Sequence, residues 1–239
     1  MFTLRILITV IGLGLLLAVA GGAAPRLEVD NPTFDFGYVP QHASISHVFW
    51  LRSTGEDTVT ITRVIPGCGC TKAPLASNVL APGDSTQLEV IFSTRSYSSR
   101  VHKSPRIETN ESSDPRRLNI ISNVVKQPDS TYPIVIRPYK LDISQFGDKR
   151  RDKVEFFIMN VSTDDLALKL VDQPAGLFEV KLPGKVKAGE TAKAEIKLLE
   201  EVVGETFEKS ITLQLDDKTA SRFTIPIKRT LRTTASAPR

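Results

Sequence analysis

Phe49-Trp50-Leu51-Arg52-Ser53-Thr54-Gly55, followed by Thr58-Val59-Thr60-Ile61-Thr62, decides the fold class of this chain. Apolar and polar residues alternate with period two, the spacing of a strand that turns one face to a core. Upstream, Ile45 and His47 continue the face of Phe49 and Leu51, while Ser44, Ser46 and Arg52 take the other. Trp50 falls opposite Phe49, either as a contact point or sheltered under a neighbouring strand. The β-branched residues of the second run suit a pleated surface. Ser53-Thr54-Gly55-Glu56 between the runs supplies turn chemistry.

The same pattern returns further along. Phe156-Phe157-Ile158-Met159-Asn160-Val161-Ser162 matches Phe49 to Gly55, and Leu166 and Leu168 match Val59 and Ile61. Ala188-Gly189-Glu190 matches Pro82-Gly83-Asp84, each leading into an alternating run, and Phe146-Gly147 matches Phe36-Gly37. An ordered series of matches is the mark of a unit laid down twice. No window carries a helical stripe of four turns. The reading is all-β: two tandem immunoglobulin-like sandwiches of about 100 residues each. Expected boundaries are 25–127 and 132–230, separated by Gln127-Pro128-Asp129-Ser130-Thr131, with 231–239 as a flexible polar tail. Phe34 and Phe36 share a strand face and plug the end of the first sandwich. Gly37, lacking Cβ, lets the strand bend or bulge there.

Residues 1–24 read as an export leader. Arg5 is their one charge, Ile6 to Leu17 is almost unbrokenly apolar, and Ala18-Val19-Ala20 offers a small-residue cleavage site before Gly21. The expected mature chain is periplasmic or extracellular, with no membrane span unless the leader is retained. The formal charge of +4, or +3 without Arg5, is spread among interleaved acids, which argues against nucleic acid as a partner. Gly67 to Lys72 lacks the second glycine of a phosphate loop, no Gly-x-Ser-x-Gly occurs, and no histidine has an evident nucleophile partner. The expectation is a non-enzyme.

Phe34-Asp35-Phe36-Gly37-Tyr38-Val39, Phe49 to Gly55, Cys68-Gly69-Cys70-Thr71 and Pro82-Gly83-Asp84 together resemble the bacterial domain-of-unknown-function family numbered 1573. The resemblance covers about residues 27–110. It implies a PapD-like, ASH-type immunoglobulin fold and an exported module, without a settled activity. The family often has Asn where Ser53 stands; the second unit keeps it as Asn160, but has Pro174-Ala175-Gly176-Leu177 where the cysteines would fall.

Cys68 and Cys70 are the chain's two cysteines. In extended backbone their Cα atoms would lie about 6.6 Å apart, near the upper end of what a disulfide spans. Gly69 permits the contraction that would close the bond. Closing so short a loop contributes roughly 1.6 kcal/mol, so the pair is a poor staple. Three readings stand side by side. One is a semi-buried pair or a local disulfide that shapes its loop. Another is a soft-metal site, copper or zinc, on Cys68 and Cys70 with His102, since His42, His47 and His102 all fall in the same half. The third is thiol–disulfide exchange with a partner, for which the usual Cys-x-x-Cys at a helix start is missing. The residues singled out are Phe34, Phe36, Gly37, Cys68, Gly69, Cys70, Pro82 and Gly83 as framework, and Cys68, Cys70 and His102 as candidate ligands. The functional expectation is a structural or protein-interaction module with an unidentified envelope protein as partner. The alternative is a copper-binding or redox accessory protein. Sandwich edge strands offer one mode of attachment, by adding a partner's strand.

Overall fold

The structure is a computed structural model and describes residues 23–232. Residues 1–22 of the expected leader and 233–239 of the expected tail lie outside the described residues. The alternating runs are strands, and the helical content among the described residues is two 3-10 turns, Pro128–Ser130 and Glu200–Val202.

Each unit places four strands in one layer in the same order. In the front unit the order is Leu27–Val29, Ser44–Ser53, Ser85–Ser93, Thr71–Lys72. In the back unit it is Ile134–Arg137, Lys153–Asn160, Thr191–Leu198, Phe178–Lys181. The opposing layers correspond too: Val59 pairs with Leu80 as Leu166 pairs with Val186. The matched turns are alike in backbone detail. Ser53 N–H donates to the Asp84 carbonyl at 2.9 Å and Asn160 N–H to the Glu190 carbonyl at 2.9 Å. Gly83 and Gly189 sit in left-handed backbone at φ +87° and +72°, which glycine adopts without a Cβ penalty.

Alternation fills two separate cores. Phe36, Phe49, Leu51, Leu88 and Phe92 centre the front one; Phe156, Ile158, Ile196, Phe223 and Ile225 centre the back one. Each such side chain, taken fully out of water, contributes about 1.5–3 kcal/mol. At the Ser53 position the units differ. Asn160 is buried and uses both ends of its amide, donating to the Asp164 and Val186 carbonyls and accepting from Ser162. Ser53 is equally buried, and its hydroxyl has no partner.

A sheet runs through both units. Its order is Lys185–Val186, Leu166–Asp172, Phe207–Leu215, Arg222–Arg229, Thr33–Pro40, Asn119–Val125, Ser99–Lys103, with Leu141–Asp142 also on Arg222–Arg229. The junction is the parallel pairing of Tyr38 with Phe223. It lies beside a bulge in which Phe36 and Gly37 together face Ser122. Gly37 has φ +63°, and its N–H donates to Asp35 Oδ1 at 2.8 Å. A Cβ on Gly37 would fall inside the Arg222 carbonyl and 2.6 Å from the Arg222 Cβ. The missing side chain is therefore what lets the back unit's strand approach. The matching Gly147 has φ +82° but open space around it. Phe36 is wholly buried, whereas Phe146 is exposed beneath Arg232.

Polar contacts lock the junction. Thr224 Oγ1 donates to the Phe36 carbonyl at 2.6 Å, and Arg222 Nη1 to that of Asp35 at 3.1 Å. Ser46 N–H donates to Ser210 Oγ at 3.0 Å, which returns a bond to the Ser46 carbonyl at 3.2 Å. Tyr139 donates its hydroxyl to the Tyr38 carbonyl at 2.6 Å; burial, and then the nearby Tyr38, pushes that hydroxyl well above its usual pKa. Lys209 Nζ lies 2.6 Å from both oxygens of Glu89, and His47 Nδ1 donates to Asp172 Oδ1 at 3.0 Å.

Residue 231 does not begin a flexible tail as expected. Leu231 and Arg232 form a parallel strand with Gln145–Phe146. The cause is Arg229, wholly buried two residues earlier, whose guanidinium donates to the carbonyls of Ile143, Arg151 and Val203. It pins the chain end to the 143–151 segment.

Candidate functional site

The sulfur pair sits in a turn. Val59–Ile65 ends before Pro66, and the backbone from Gly67 to Cys70 turns back into Thr71–Lys72, which pairs with Ser85–Ser93. Gly67 supplies the left-handed residue at φ +88°, while Gly69, expected to permit the contraction, is not left-handed. Thr71 N–H donates to the Cys68 carbonyl at 3.1 Å and Ser93 N–H to that of Cys70 at 2.8 Å. The turn draws the two Cα atoms to 5.3 Å, and the sulfurs are bonded. That separation lies well within the ordinary disulfide range, whereas extended backbone would reach only its upper end.

The two sulfurs have different surroundings. Cys70 is 5% exposed and belongs to the front core, whereas Cys68 is only partly buried against it. Tyr97 donates its hydroxyl to Cys70 Sγ at 3.6 Å, and Lys103 Nζ donates to the same Tyr97 oxygen at 3.2 Å. The ammonium also lies 4.5 Å from the centre of the Tyr97 ring. Thr71 Oγ1 is 3.4 Å from Cys68 Sγ and 3.8 Å from Cys70 Sγ.

The expected cluster of Cys68, Cys70 and His102 is not formed. His102 and Lys103 are neighbours on one strand and therefore point to opposite faces. Lys103 turns towards Tyr97 and the sulfurs, while exposed His102 meets Asn119 Oδ1 at 3.1 Å. His47 stacks on Phe34 with ring centres 3.7 Å apart and bonds Asp172 of the back unit. His42 is exposed in left-handed backbone at φ +53°. Among the described residues no three His, Cys, Asp or Glu side chains form a group able to hold a metal.

Of the clefts lined by both units, two bear on the site. One, of about 510 Å³, is lined by Trp50, Leu75 and Gln87 from the front and Pro174, Leu177 and Lys209 from the back. Trp50 is 48% exposed there. The second, of about 550 Å³, is lined by Gly69, Cys70 and Ile91 from the front and Phe207, Glu208 and Lys209 from the back. The back unit's counterpart of the cysteine loop thus borders the first cleft, and the cysteine loop borders the second. Tyr97, Lys103 and the back-unit walls carry no local sequence signal, because they reach the site only through strand pairing.

Fold and junction define a protein of two tandem immunoglobulin-like sandwiches. Residues 27–124 match the family described as "Protein of unknown function (DUF1573)", a match that covers the front sandwich and ends before the back unit. No curated protein matches the chain. Similar solved structures include a protein of unknown function from Porphyromonas gingivalis W83, with 15% identity, TM-score 0.38 and coverage of 86% of this chain and 99% of that one. Another is the ASH/PapD-like domain 7 of human CEP192, with 9% identity, TM-score 0.35 and coverage of 53% and 99%. A third is WR4, an MSP family member of C. elegans, with 19% identity, TM-score 0.32 and coverage of 43% and 100%. Among the described residues no helix is long and apolar enough to cross a membrane.

Proposed function

We propose that this chain is an exported, non-catalytic module of the cell envelope that holds a protein partner in the cleft between its two sandwiches. The observation that carries this is Trp50, half exposed and flanked by Leu75, Pro174 and Leu177 from both units. A large aromatic set among apolar walls is the usual anchor of a protein interface. The junction supports the reading: with a shared sheet and buried polar locks, the cleft walls are held in place before a partner arrives, which lowers the ordering cost of binding. Strand addition has weaker support. The layer edges Leu27–Val29, Thr71–Lys72, Ile134–Arg137, Phe178–Lys181, Lys185–Val186 and Ser99–Lys103 have two to five residues each, room for few backbone bonds. Export is supported by the composition of residues 1–24, of which 1–22 lie outside the described residues, and by the bonded sulfurs, which suit an oxidising compartment.

Site-specific photo-crosslinking in the native host tests the reading. A photoreactive residue at Trp50 is expected to yield one discrete protein adduct in the extracytoplasmic fraction, absent when the same residue replaces exposed Lys193. Identical adducts from both positions, no adduct from Trp50, or a chain retained in the cytosol with its leader intact would defeat it.

A further inference from the structure

We infer that Cys68–Cys70 is a disulfide-exchange site that oxidises a protein dithiol, with Cys68 as the sulfur attacked and Cys70 as the sulfur that leaves. This goes beyond the interaction reading, which stands whether or not exchange occurs. A bond that closes so short a loop constrains the unfolded chain little, so stapling the fold does not account for it. Exchange needs an accessible sulfur at one end and a stabilised thiolate at the other. Thr71 Oγ1 reaches both sulfurs, and the two ends differ in burial and in the Tyr97 contact. Cys68 keeps solvent exposure, while Cys70 is buried and receives the Tyr97 hydroxyl, itself held by the Lys103 ammonium. Hydrogen bonding to the charged form and a nearby cation both favour thiolate.

The electron count closes with a dithiol as the reductant. Its thiolate attacks Cys68 Sγ, the Cys68–Cys70 bond breaks, and the bonding pair leaves on Cys70 Sγ, where the Tyr97 O–H donates to it. The partner's second thiol, on losing its proton to solvent, attacks its own sulfur in the mixed disulfide and expels Cys68 as thiolate. The partner ends as a disulfide and Cys68 and Cys70 as two thiols, a transfer of two electrons per chain.

The test exposes the full exported chain briefly to reduced glutathione, a monothiol whose first product is the mixed disulfide, trapped before a second thiol resolves it. Acid quenching, alkylation and tandem mass spectrometry of tryptic peptide 64–72 then locate the adduct. Glutathione is expected on Cys68 and the alkyl group on Cys70, about fivefold or more over the reverse, the factor equivalent to one hydrogen bond of about 1 kcal/mol. Reduction by dithiothreitol is expected to slow about fivefold in Tyr97→Phe and to slow in Lys103→Gln, with His102→Ala at the wild-type rate. Should Tyr97→Phe not fold, the adduct position in wild type and the Lys103→Gln rate carry the test. Adducts on Cys70, adducts shared evenly, a wild-type rate in Lys103→Gln, or a bond that resists dithiothreitol in the folded chain would overturn the inference.

Discussion

Replacing Gly37 by alanine tests whether the two sandwiches are one mechanical body. Two costs add. Alanine at φ +63° meets left-handed strain of about 1–2 kcal/mol. Its Cβ would also occupy the Arg222 carbonyl, and because the obstacle is backbone, no rotamer change relieves it. The strands Thr33–Pro40 and Arg222–Arg229 must separate, which stretches the Thr224 bond to the Phe36 carbonyl and the Arg222 bond to that of Asp35. At about 1 kcal/mol for each of these bonds, the total is about 3–4 kcal/mol. Gly147→Ala is the internal control. Its glycine has the same sequence context and a similar φ, +82°, but nothing within reach of a Cβ, so only the left-handed strain of about 1–2 kcal/mol applies. Urea unfolding of both variants should separate them by about 2 kcal/mol. Hydrogen exchange at Phe223 and Thr224 should accelerate in Gly37→Ala alone. Equal losses in the two variants, or a larger loss at Gly147, would refute the argument that close approach of the units fixes the glycine.

Ser53→Asn should stabilise the front unit by about 1 kcal/mol, since the amide can bond the turn as Asn160 does while the present hydroxyl is unpartnered; a lower midpoint in urea would show that the pocket has no room. Arg229→Met should cost about 3 kcal/mol, because the carbonyls of Ile143, Arg151 and Val203 lose a charged donor, the first of them buried; differential scanning calorimetry showing a shift under one degree would contradict that. Asp217 provides a pH test. Burial raises its pKa, but the hydroxyls of Thr219 and Ser221 and their backbone N–H groups outweigh burial and leave it below the ordinary value. A lowered folded pKa gives stability that is present above the unfolded value of about 3.9 and is lost as the pH falls through the folded one. The gap in thermal midpoint between wild type and Asp217→Asn should therefore be constant near neutrality and shrink below about pH 4; a gap independent of pH would count against it.

Much of the fold was legible in the residues. Alternation in Ile45 to Leu51 and its recurrence from Phe156 pointed to both central strands, and the Pro82-Gly83-Asp84 and Ala188-Gly189-Glu190 matches to turns that the structure superposes bond for bond. The candidate site was legible only in part. The nearness of Cys68 to Cys70 can be read from spacing, but the turn that bonds them depends on Gly67, and the neighbours of Cys70 come from Tyr97 and from a strand more than thirty residues on. His102 was placed by counting histidines in a half, a measure blind to the strand face on which each one falls.

Local sequence therefore determined what each unit is: period-two alternation and turn glycines act over a few residues, and those forces are written where they operate. What the units do to each other was decided by tertiary structure alone. Phe36-Gly37 and Phe146-Gly147 are the same dipeptide, yet one is buried in a joint and the other lies open, because only the first meets a second sandwich. The same holds for the sulfur pair, whose asymmetry comes from strands brought together across the fold. Contacts between distant segments depend on the sum of many burial and hydrogen-bond terms, and no short stretch of sequence carries that sum.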